Sequence, residues 1–254
     1  MTQVSDAHTA VTSLAGRRAI ISGGTTGIGR AIAVLLASEG ANVFVCGRNP
    51  AHMADALARI HEVGEGGGIA LDLAEPDAVA RLFDAGEAAM GGVDIAVINA
   101  AVGAGALTEM TADEVRYAIA VNFSAYVLSA HAAAERMTAS DAGGDIVFTG
   151  SLSADILGPS STVYAGIKAG IAGFSVALRK ELGPKDIRVS LVEPGLTGAD
   201  MTTGHLSHDE EVAKIANAEM LRAEDIAAGV HFILTQSRRA VVQQLTIVPR
   251  AGGE

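Results

Sequence analysis

Residues 18–33 read RAIISGGTTGIGRAIA, and this stretch decides the fold. A short apolar run (18–21) is followed by a loop with glycines at positions 23, 24, 27 and 29, and then by apolar residues at helical spacing. The pattern predicts a β-strand that turns into an α-helix through a glycine-rich loop. Such a loop presents backbone N–H groups and the positive end of a helix dipole, so it indicates a pyrophosphate-binding site.

Six further apolar, β-rich runs follow, separated by segments with the i, i+3, i+4 spacing of helices. They span residues 42–46, 68–71, 94–98, 145–149, 188–192 and 244–248. The runs are almost continuously apolar, which is typical of parallel strands covered by helices on both faces. With right-handed crossovers they predict an α/β fold, a single doubly wound Rossmann-type domain with a seven-stranded parallel sheet. We expect residues 1–14 to be a flexible leader and residues 15–254 to form this domain.

Composition excludes several classes of protein. Hydrophobic residues make up 49 % of the 254 residues and charged residues 19 %, as in globular chains. The net charge of −11, without a long basic run, argues against a nucleic-acid-binding surface. The single Cys46 ends an apolar run and is expected to be buried. With no signal-peptide pattern and no uninterrupted apolar run that could span a bilayer, the sequence predicts a soluble, cytoplasmic protein without a membrane partner.

A second motif lies at STVYAGIKAG, residues 161–170. On a helix, Tyr164 and Lys168 share one face, so the ammonium can lie near the phenol. A cation about 4 Å away, at an effective dielectric near 20, would lower the phenol pKa by about 3 units before desolvation. The spacing therefore predicts that the pKa of Tyr164 moves toward neutral pH, where a general acid/base works best. Taken alone, the pair fits a solvated helix face better than an active site, because chance matches to this spacing are common.

Two more residues give this pair a context. Ser151 lies thirteen residues before Tyr164, just past the fifth predicted strand, and Asn122 stands in AVNFSAY in the preceding helix. Together with SGGTTGIG (22–29), these motifs resemble the Tyr-x-x-x-Lys branch of the short-chain dehydrogenase/reductase family, with Ser22 where the family usually has Thr. The resemblance spans about residues 14–250 and implies a catalytic set of Asn122, Ser151, Tyr164 and Lys168.

The resemblance also implies a role for each member of the set. Ser151 would position a substrate carbonyl and stabilise developing oxyanion charge, and Tyr164 would protonate the carbonyl oxygen. Lys168 would lower the tyrosine pKa and hold the nicotinamide ribose, and Asn122 would support Lys168 through a water. Ser153 has the wrong spacing for the catalytic serine and is expected to line the pocket.

The predicted cofactor is NADP(H) in preference to NAD(H). A free ribose 2′-hydroxyl prefers an acidic residue after the second strand, whereas Gly47 stands there and Arg48 follows, a cation suited to a 2′-phosphate. The cofactor-binding residues implied by the loop and the resemblance are Gly23, Thr25, Thr26, Gly27, Ile28, Gly29, Arg48, Asn49, Asp72, Leu73, Asn99, Ala100, Ala101, Tyr164, Lys168, Pro194, Gly195 and Thr197.

Some positions leave alternatives open or depart from the family pattern. Asp72, which would meet the adenine, could also serve as the N-cap of a helix beginning near Glu75. Ile98 and Ala101 replace the first Asn and the Gly of the family's N-N-A-G. Altered local bonding is expected at Ile98, whereas Ala101 adds only a methyl group near the expected nicotinamide ribose. Ala199 replaces a Thr, and Thr197 could donate to the carboxamide instead.

These observations predict an NADP(H)-dependent carbonyl reductase or secondary-alcohol dehydrogenase acting on a small-molecule carbonyl or alcohol. A non-catalytic NADP(H)-sensing protein of the same fold is the alternative, although such proteins typically lose the Tyr or the Lys. No metal site is expected, because His205 and His208 lack supporting carboxylates or cysteines. Family analogy implies a homodimer or homotetramer. The expected substrate pocket comprises Leu152, Ser153, Leu157 and Leu206.

Overall fold

The computed structural model describes residues 11–156, 158–198 and 206–252. Its strands are β1 Arg18–Ser22, β2 Asn42–Gly47, β3 Glu65–Ala70, β4 Ile95–Ile98, β5 Gly144–Thr149, β6 Ile187–Pro194, β7 Thr197–Gly198, β8 Leu221–Arg222 and β9 Gln244–Ile247. Seven of these form one parallel sheet in the order β3-β2-β1-β4-β5-β6-β9, and β7 pairs with β8 separately. All seven predicted strands are therefore confirmed, and so is the doubly wound fold.

Helices connect the strands and cover both faces of the sheet. They are α1 Gly27–Ser38, α2 Pro50–His61, α3 Ala78–Met90, α4 Ala112–Ile119, α5 Ala125–Ser140, α6 Ser153–Ile156, α7 Thr162–Leu182, α8 His208–Ala216 and α9 Ala223–Thr235. A π-helical turn, Ala120–Ser124, joins α4 to α5. Helices α3, α5 and α7 pack on one face of the sheet, and α1, α2 and α9 pack on the other.

The two hydrophobic layers explain why the strands are continuously apolar. Strand β5 sends Phe148 into the layer under α5 and α7, while its neighbour Val147 enters the layer under α1 and α9. Both side chains are fully buried. Because successive side chains point to opposite faces, a strand covered on both sides needs apolar residues at every position.

The sheet order creates the crevice in which a ligand would bind. The chain runs from β1 outward through β2 to β3 and then returns to β4 on the other side of β1. The loops that follow β1 and β4 therefore diverge, and open sheets of this kind bind ligands at the carboxyl ends of the strands at that point.

The amino-terminal boundary of the folded chain differs from the prediction. Thr12 donates from its backbone N–H to the Thr235 carbonyl (2.8 Å) and from its hydroxyl to the Gln236 carbonyl (2.8 Å). Leu14 is buried in the layer under α1 and α9. These residues belong to the packed structure, so the contacts of the folded chain begin before residue 15.

One helical segment is long and apolar enough to cross a membrane by length and composition alone. It is Pro159–Lys185, with a mean hydropathy of 1.2. The core helix of a globular protein passes the same test, and this segment contains α7, which packs on β6 and buries Ile171 and Lys168. We therefore read it as a core helix within the part of the chain that the structure describes.

A buried charge cluster ties the amino ends of the strands together. Asp145, 2 % exposed, accepts hydrogen bonds from Arg17 (2.7 Å), Arg188 (2.6 Å) and Arg238 (3.1 Å). The buried Arg188 also donates to the carbonyls of Leu234 (3.0 Å) and of Gln236 (2.9 Å), where α9 ends. One guanidinium thus satisfies both a buried carboxylate and the carbonyls at a helix C-terminus.

We predict that Arg188→Met destabilises the protein by about 2–4 kcal/mol, the lower part of the range for breaking a buried ion pair, because Arg17 and Arg238 still compensate Asp145. Urea unfolding measures the change. The matched control is Arg116→Met, since Arg116 is mostly exposed and pairs with Asp113 on the surface, so no measurable change is expected. Equal stability of the two variants would contradict the prediction.

Candidate active site

The sequence motifs converge on one edge of the sheet. The glycine loop follows β1, Asn99 follows β4, Ser151 follows β5 and Pro194 ends β6. Since parallel strands place all their carboxyl ends on one side, residues distant in sequence become neighbours there.

The glycine loop packs too closely for side chains. Gly23 has a φ of +65°, and an added Cβ there would lie 2.7 Å from the Ala100 Cα. An added Cβ at Gly29 would lie 2.1 Å from the Gly23 carbonyl oxygen. Thr26 is the N-cap of α1, and its side chain makes no capping hydrogen bond. The first turn of α1 thus keeps backbone donors for an anion, so the loop fits the pyrophosphate of a dinucleotide.

Ser22 and Asn99 fasten this loop to the end of β4. The Ser22 hydroxyl oxygen accepts from the backbone N–H groups of Asn99 (2.9 Å) and Ala100 (3.1 Å). The Asn99 side chain donates to the carbonyls of Ser22 (3.3 Å) and Gly23 (3.4 Å). The Ser22 hydroxyl therefore holds the loop after β1 against the loop after β4. Ile98, the last residue of β4, is buried in the core.

The residues expected near the adenosine have local partners of their own. Asn49 caps α2, because its side-chain oxygen accepts from the N–H of Ala51 at 2.8 Å. Asp72 accepts from the N–H of Ala74 at 2.9 Å in a turn, and Leu73 is buried. Helix α3 begins only at Ala78 with Asp77 at its N-cap. The alternative that Asp72 caps a helix starting near Glu75 is therefore wrong.

Sequence reasoning missed Tyr117, which lies on α4 across from the ends of β2 and β3. Its hydroxyl donates to Asp72 (2.8 Å) and accepts from the guanidinium of Arg48 (2.5 Å). Burial and the hydrogen bond to Asp72 raise the pKa of Tyr117, so it stays a phenol at neutral pH. A tyrosine within a helix gives no signal of such contacts in the sequence.

Tyr164 and Ser151 lie next to each other at the carboxyl edge of the sheet. Tyr164 lies in the first turn of α7, and Ser151 follows β5. Burial raises the pKa of Tyr164, and the hydrogen bond with Ser151 opposes this. The Ser151 oxygen also accepts from the N–H of Ser153 at 3.2 Å, which ties the start of α6 to Ser151. At neutral pH, Tyr164 therefore carries the proton that a general acid needs.

Lys168 is buried beside this pair. Its side chain is 1 % exposed, and its Nζ donates to the Thr149 carbonyl (2.7 Å) and to the Tyr126 hydroxyl (3.1 Å). The same nitrogen lies 5.5 Å from the centroid of the Tyr164 ring. Burial lowers the pKa of Lys168 to about 7. At neutral pH the amine therefore carries less charge than an exposed lysine would.

The predicted tuning of Tyr164 by Lys168 is not what the structure shows. The phenol pKa is raised and not lowered, because burial outweighs the interaction with Ser151 that lowers it. The ammonium itself is held by Thr149 and Tyr126, and its own burial reduces its charge. The sequence placed both residues on one helix face correctly, but it carried no measure of burial depth.

Asn122 lies on the π-helical turn and is fully buried. Its side chain accepts from the N–H of Val102 (2.8 Å) and donates to the carbonyl of Val102 (2.7 Å). It thus fixes the loop after β4. Among the described residues, the side-chain hydrogen bonds of Lys168 are to Thr149 and Tyr126, so Tyr126 is a second residue that sequence reasoning missed.

The segment after β6 closes the other side of the site. Leu152 donates from its N–H to the Pro194 carbonyl (3.1 Å), and Gly195 donates to the Ile247 carbonyl (2.7 Å). The Thr197 hydroxyl, expected to reach a carboxamide, donates to the Gly195 carbonyl (2.9 Å). Ser153 begins α6 and is half-buried, as are Leu152 and Leu206. Leu157, Ala199 and His205 lie outside the described residues.

Comparison with known proteins agrees with this architecture. The short chain dehydrogenase family model matches residues 17–210. An uncharacterised oxidoreductase of Methylorubrum extorquens is 31 % identical over 251 residues, which cover 96 % of this chain and 99 % of the relative. The chain belongs to the short-chain dehydrogenase family and is an oxidoreductase of that family.

Solved structures give the same result. A short-chain dehydrogenase from Burkholderia cenocepacia in complex with NADP has 33 % identity and a TM-score of 0.82, covering 94 % of this chain and 98 % of its own. A 3-oxoacyl (acyl-carrier-protein) reductase from Agrobacterium tumefaciens with NADP bound has 26 % identity and a TM-score of 0.83. The match covers 92 % of this chain and 94 % of the reductase chain. These neighbours support binding of a nicotinamide cofactor.

We predict that Lys168→Met stabilises the fold, and does so more at pH 6 than at pH 9. Below pH 7 the amine is charged both folded and unfolded, so the folded state bears the full cost of burying it. Between pH 7 and 10.5 the folded chain binds fewer protons than the unfolded chain, so wild-type stability rises with pH and the advantage of Met shrinks.

Denaturant unfolding at the two pH values measures this difference. Lys180→Met is the control, because Lys180 lies exposed on the same helix and its replacement should give the same small change at both pH values. The prediction would be wrong if Lys168→Met were less stable than wild type at pH 6. It would also be wrong if the gain in the free energy of unfolding did not depend on pH.

Proposed function

We propose that the protein is an NADP(H)-dependent oxidoreductase that interconverts a ketone or aldehyde and a secondary or primary alcohol. The observation that carries this proposal is the juxtaposition of Tyr164 and Ser151 at the carboxyl edge of the sheet, next to a buried lysine. A phenol and a hydroxyl that face one crevice can both reach a single carbonyl oxygen.

The cofactor, when bound, supplies or accepts the hydride, and the residues of this chain handle the proton and the geometry. In the reductive direction Tyr164 donates its proton to the carbonyl oxygen, and Ser151 stabilises the charge that develops there. The raised pKa of Tyr164 keeps the phenol protonated at neutral pH, which suits reduction. In the oxidative direction the phenolate of Tyr164 takes the alcohol proton.

The geometry after β2 supports the preference for NADP(H). An added Cβ at Gly47 would lie 2.2 Å from the Thr25 hydroxyl oxygen, so an acidic side chain does not fit there unless Thr25 moves. Arg48 follows directly and is exposed. A guanidinium there, with no acidic residue at the end of β2, favours a ribose 2′-phosphate over a 2′-hydroxyl.

We also propose a cytoplasmic homo-oligomer, a dimer or a tetramer, that acts on a small molecule. The chain has a single cysteine, Cys46, so it forms no internal disulfide, which is typical of proteins of a reducing compartment. The oligomer rests on family analogy.

We predict that Tyr164→Phe lowers kcat by at least about 100-fold, since it removes the general acid, while the Kd of NADPH changes little. The measurement is NADPH oxidation with a panel of ketones and aldehydes, together with calorimetric titration of NADPH. A matched control is Tyr126→Phe, which removes a buried phenol hydroxyl that contacts Lys168 and the Thr149 carbonyl but leaves the general acid in place, and should retain more turnover.

A non-catalytic, NADP(H)-sensing protein would behave differently. It would bind NADPH, turn over no carbonyl in the panel, and give a Tyr164→Phe variant that cannot be distinguished from wild type. That outcome would overturn the enzymatic proposal and leave the cofactor proposal standing.

We further predict that wild-type protein binds NADPH at least about 10-fold more tightly than NADH, the difference that one charge-assisted contact to a phosphate provides. Calorimetry at fixed salt measures both constants, and the ratio should fall at high ionic strength. Equal affinities, or tighter binding of NADH, would refute the NADP(H) preference.

A further inference from the structure

The Tyr117 hydroxyl stands between the two charged residues of the expected adenosine site. It accepts a hydrogen bond from Arg48 Nη1 at 2.5 Å and donates one to Asp72 Oδ2 at 2.8 Å. The Arg48 guanidinium carbon also lies 5.9 Å from the centroid of the Tyr117 ring. One oxygen atom therefore separates a cation from an anion, and its single proton is committed to the carboxylate.

Arg48 depends on this contact for its orientation. Its side chain is exposed and lies just past β2. Within the described part of the chain, the Tyr117 hydroxyl is the one hydrogen-bond partner of Arg48. A guanidinium has five N–H donors, so four remain available for a phosphate when one is bound to the phenol. A long side chain held in place before binding loses less conformational freedom when the ligand arrives.

Asp72 would otherwise compete for the guanidinium. Its Oδ1 accepts from the Ala74 N–H and its Oδ2 accepts from Tyr117, so both oxygens have donors. Without the phenol hydroxyl, Asp72 would be the neighbouring anion with which Arg48 could pair directly. That pairing would turn the cation away from the ribose and neutralise it.

We propose that Tyr117 is a positioning residue for cofactor discrimination, which keeps Arg48 apart from Asp72 and directed at the 2′-phosphate of the adenosine ribose. The inference rests on the proposed NADP(H) function and adds a residue on α4 to it. Tyr117 acts through Arg48, so its effect is confined to cofactors that carry a 2′-phosphate.

The test is calorimetric titration of NADPH and NADH into the wild type, Tyr117→Phe, Arg48→Gln and the double variant. We expect Tyr117→Phe to weaken NADPH binding by about 3- to 10-fold, as for one lost hydrogen bond, and NADH binding by less than about 2-fold. Arg48→Gln should weaken NADPH binding by about 10- to 100-fold. Adding Tyr117→Phe to Arg48→Gln should cause no further loss, because the residue it positions is gone.

Arg116→Gln is the matched control for charge. Arg116 neighbours Tyr117 on α4, is mostly exposed, and pairs with Asp113 at 2.6 Å. Its replacement removes one cation from the same helix without touching Arg48, so the ratio of the two affinities should stay within about 2-fold of wild type. Circular dichroism of each variant reports whether it folds, and Tyr117 is only half-buried, so Phe is accommodated.

Any of four results would overturn the inference. If Tyr117→Phe weakened the binding of NADPH and of NADH equally, the Tyr117 hydroxyl would have a merely structural role. Additive losses in the double variant would show that Tyr117 does not act through Arg48. A wild-type protein that prefers NADPH, with a Tyr117→Phe variant of unchanged preference, would refute the inference alone. A wild type without that preference would refute the proposed cofactor and the inference together.

Discussion

The hydrogen bond from Lys168 Nζ to the Thr149 carbonyl, 2.7 Å long, is the interaction on which the site depends. It joins α7 to the end of β5, the strand that leads into Ser151. Because the helix is fixed at Lys168, Tyr164 one turn earlier is held against Ser151. Burying an amine is costly, and the low pKa of Lys168 expresses that cost. The carboxyl edge of the sheet therefore contains a buried amine, Lys168, that lowers the stability of the fold.

Close packing of the backbone shapes the glycine loop after β1 and the end of β2. The approach of Gly29 to the Gly23 carbonyl, and of Gly23 to Ala100, leaves no volume for a Cβ. This is why the loop can follow β1 so tightly and present the first turn of α1 to a phosphate. At Gly47 the same lack of volume excludes an acidic side chain, so Arg48 is the charge that remains after β2. Steric limits thus decide which charged side chain can follow β2.

Most of the fold could be predicted from the sequence, because strands covered on both faces must be apolar throughout. The glycine loop and the Tyr164–Lys168 face could be read for the same local reason. Tyr117 and Tyr126 could not be. Tyr117 meets Asp72 across 45 positions of sequence, and Tyr126 meets Lys168 across 42. A helical tyrosine looks identical whether it packs, faces solvent or holds a charged partner from another element.

The sequence by itself determined the strands, the glycine-rich loop after β1, and the placement of Tyr164 and Lys168 on one face of α7, since each follows from local periodicity or from glycine at a tight turn. Only the tertiary structure decided how the site is charged. The pKa of Tyr164 is raised and that of Lys168 falls to about 7, because elements distant in sequence bury them together. Spacing along a helix fixes which groups are neighbours, whereas burial fixes how much charge they carry.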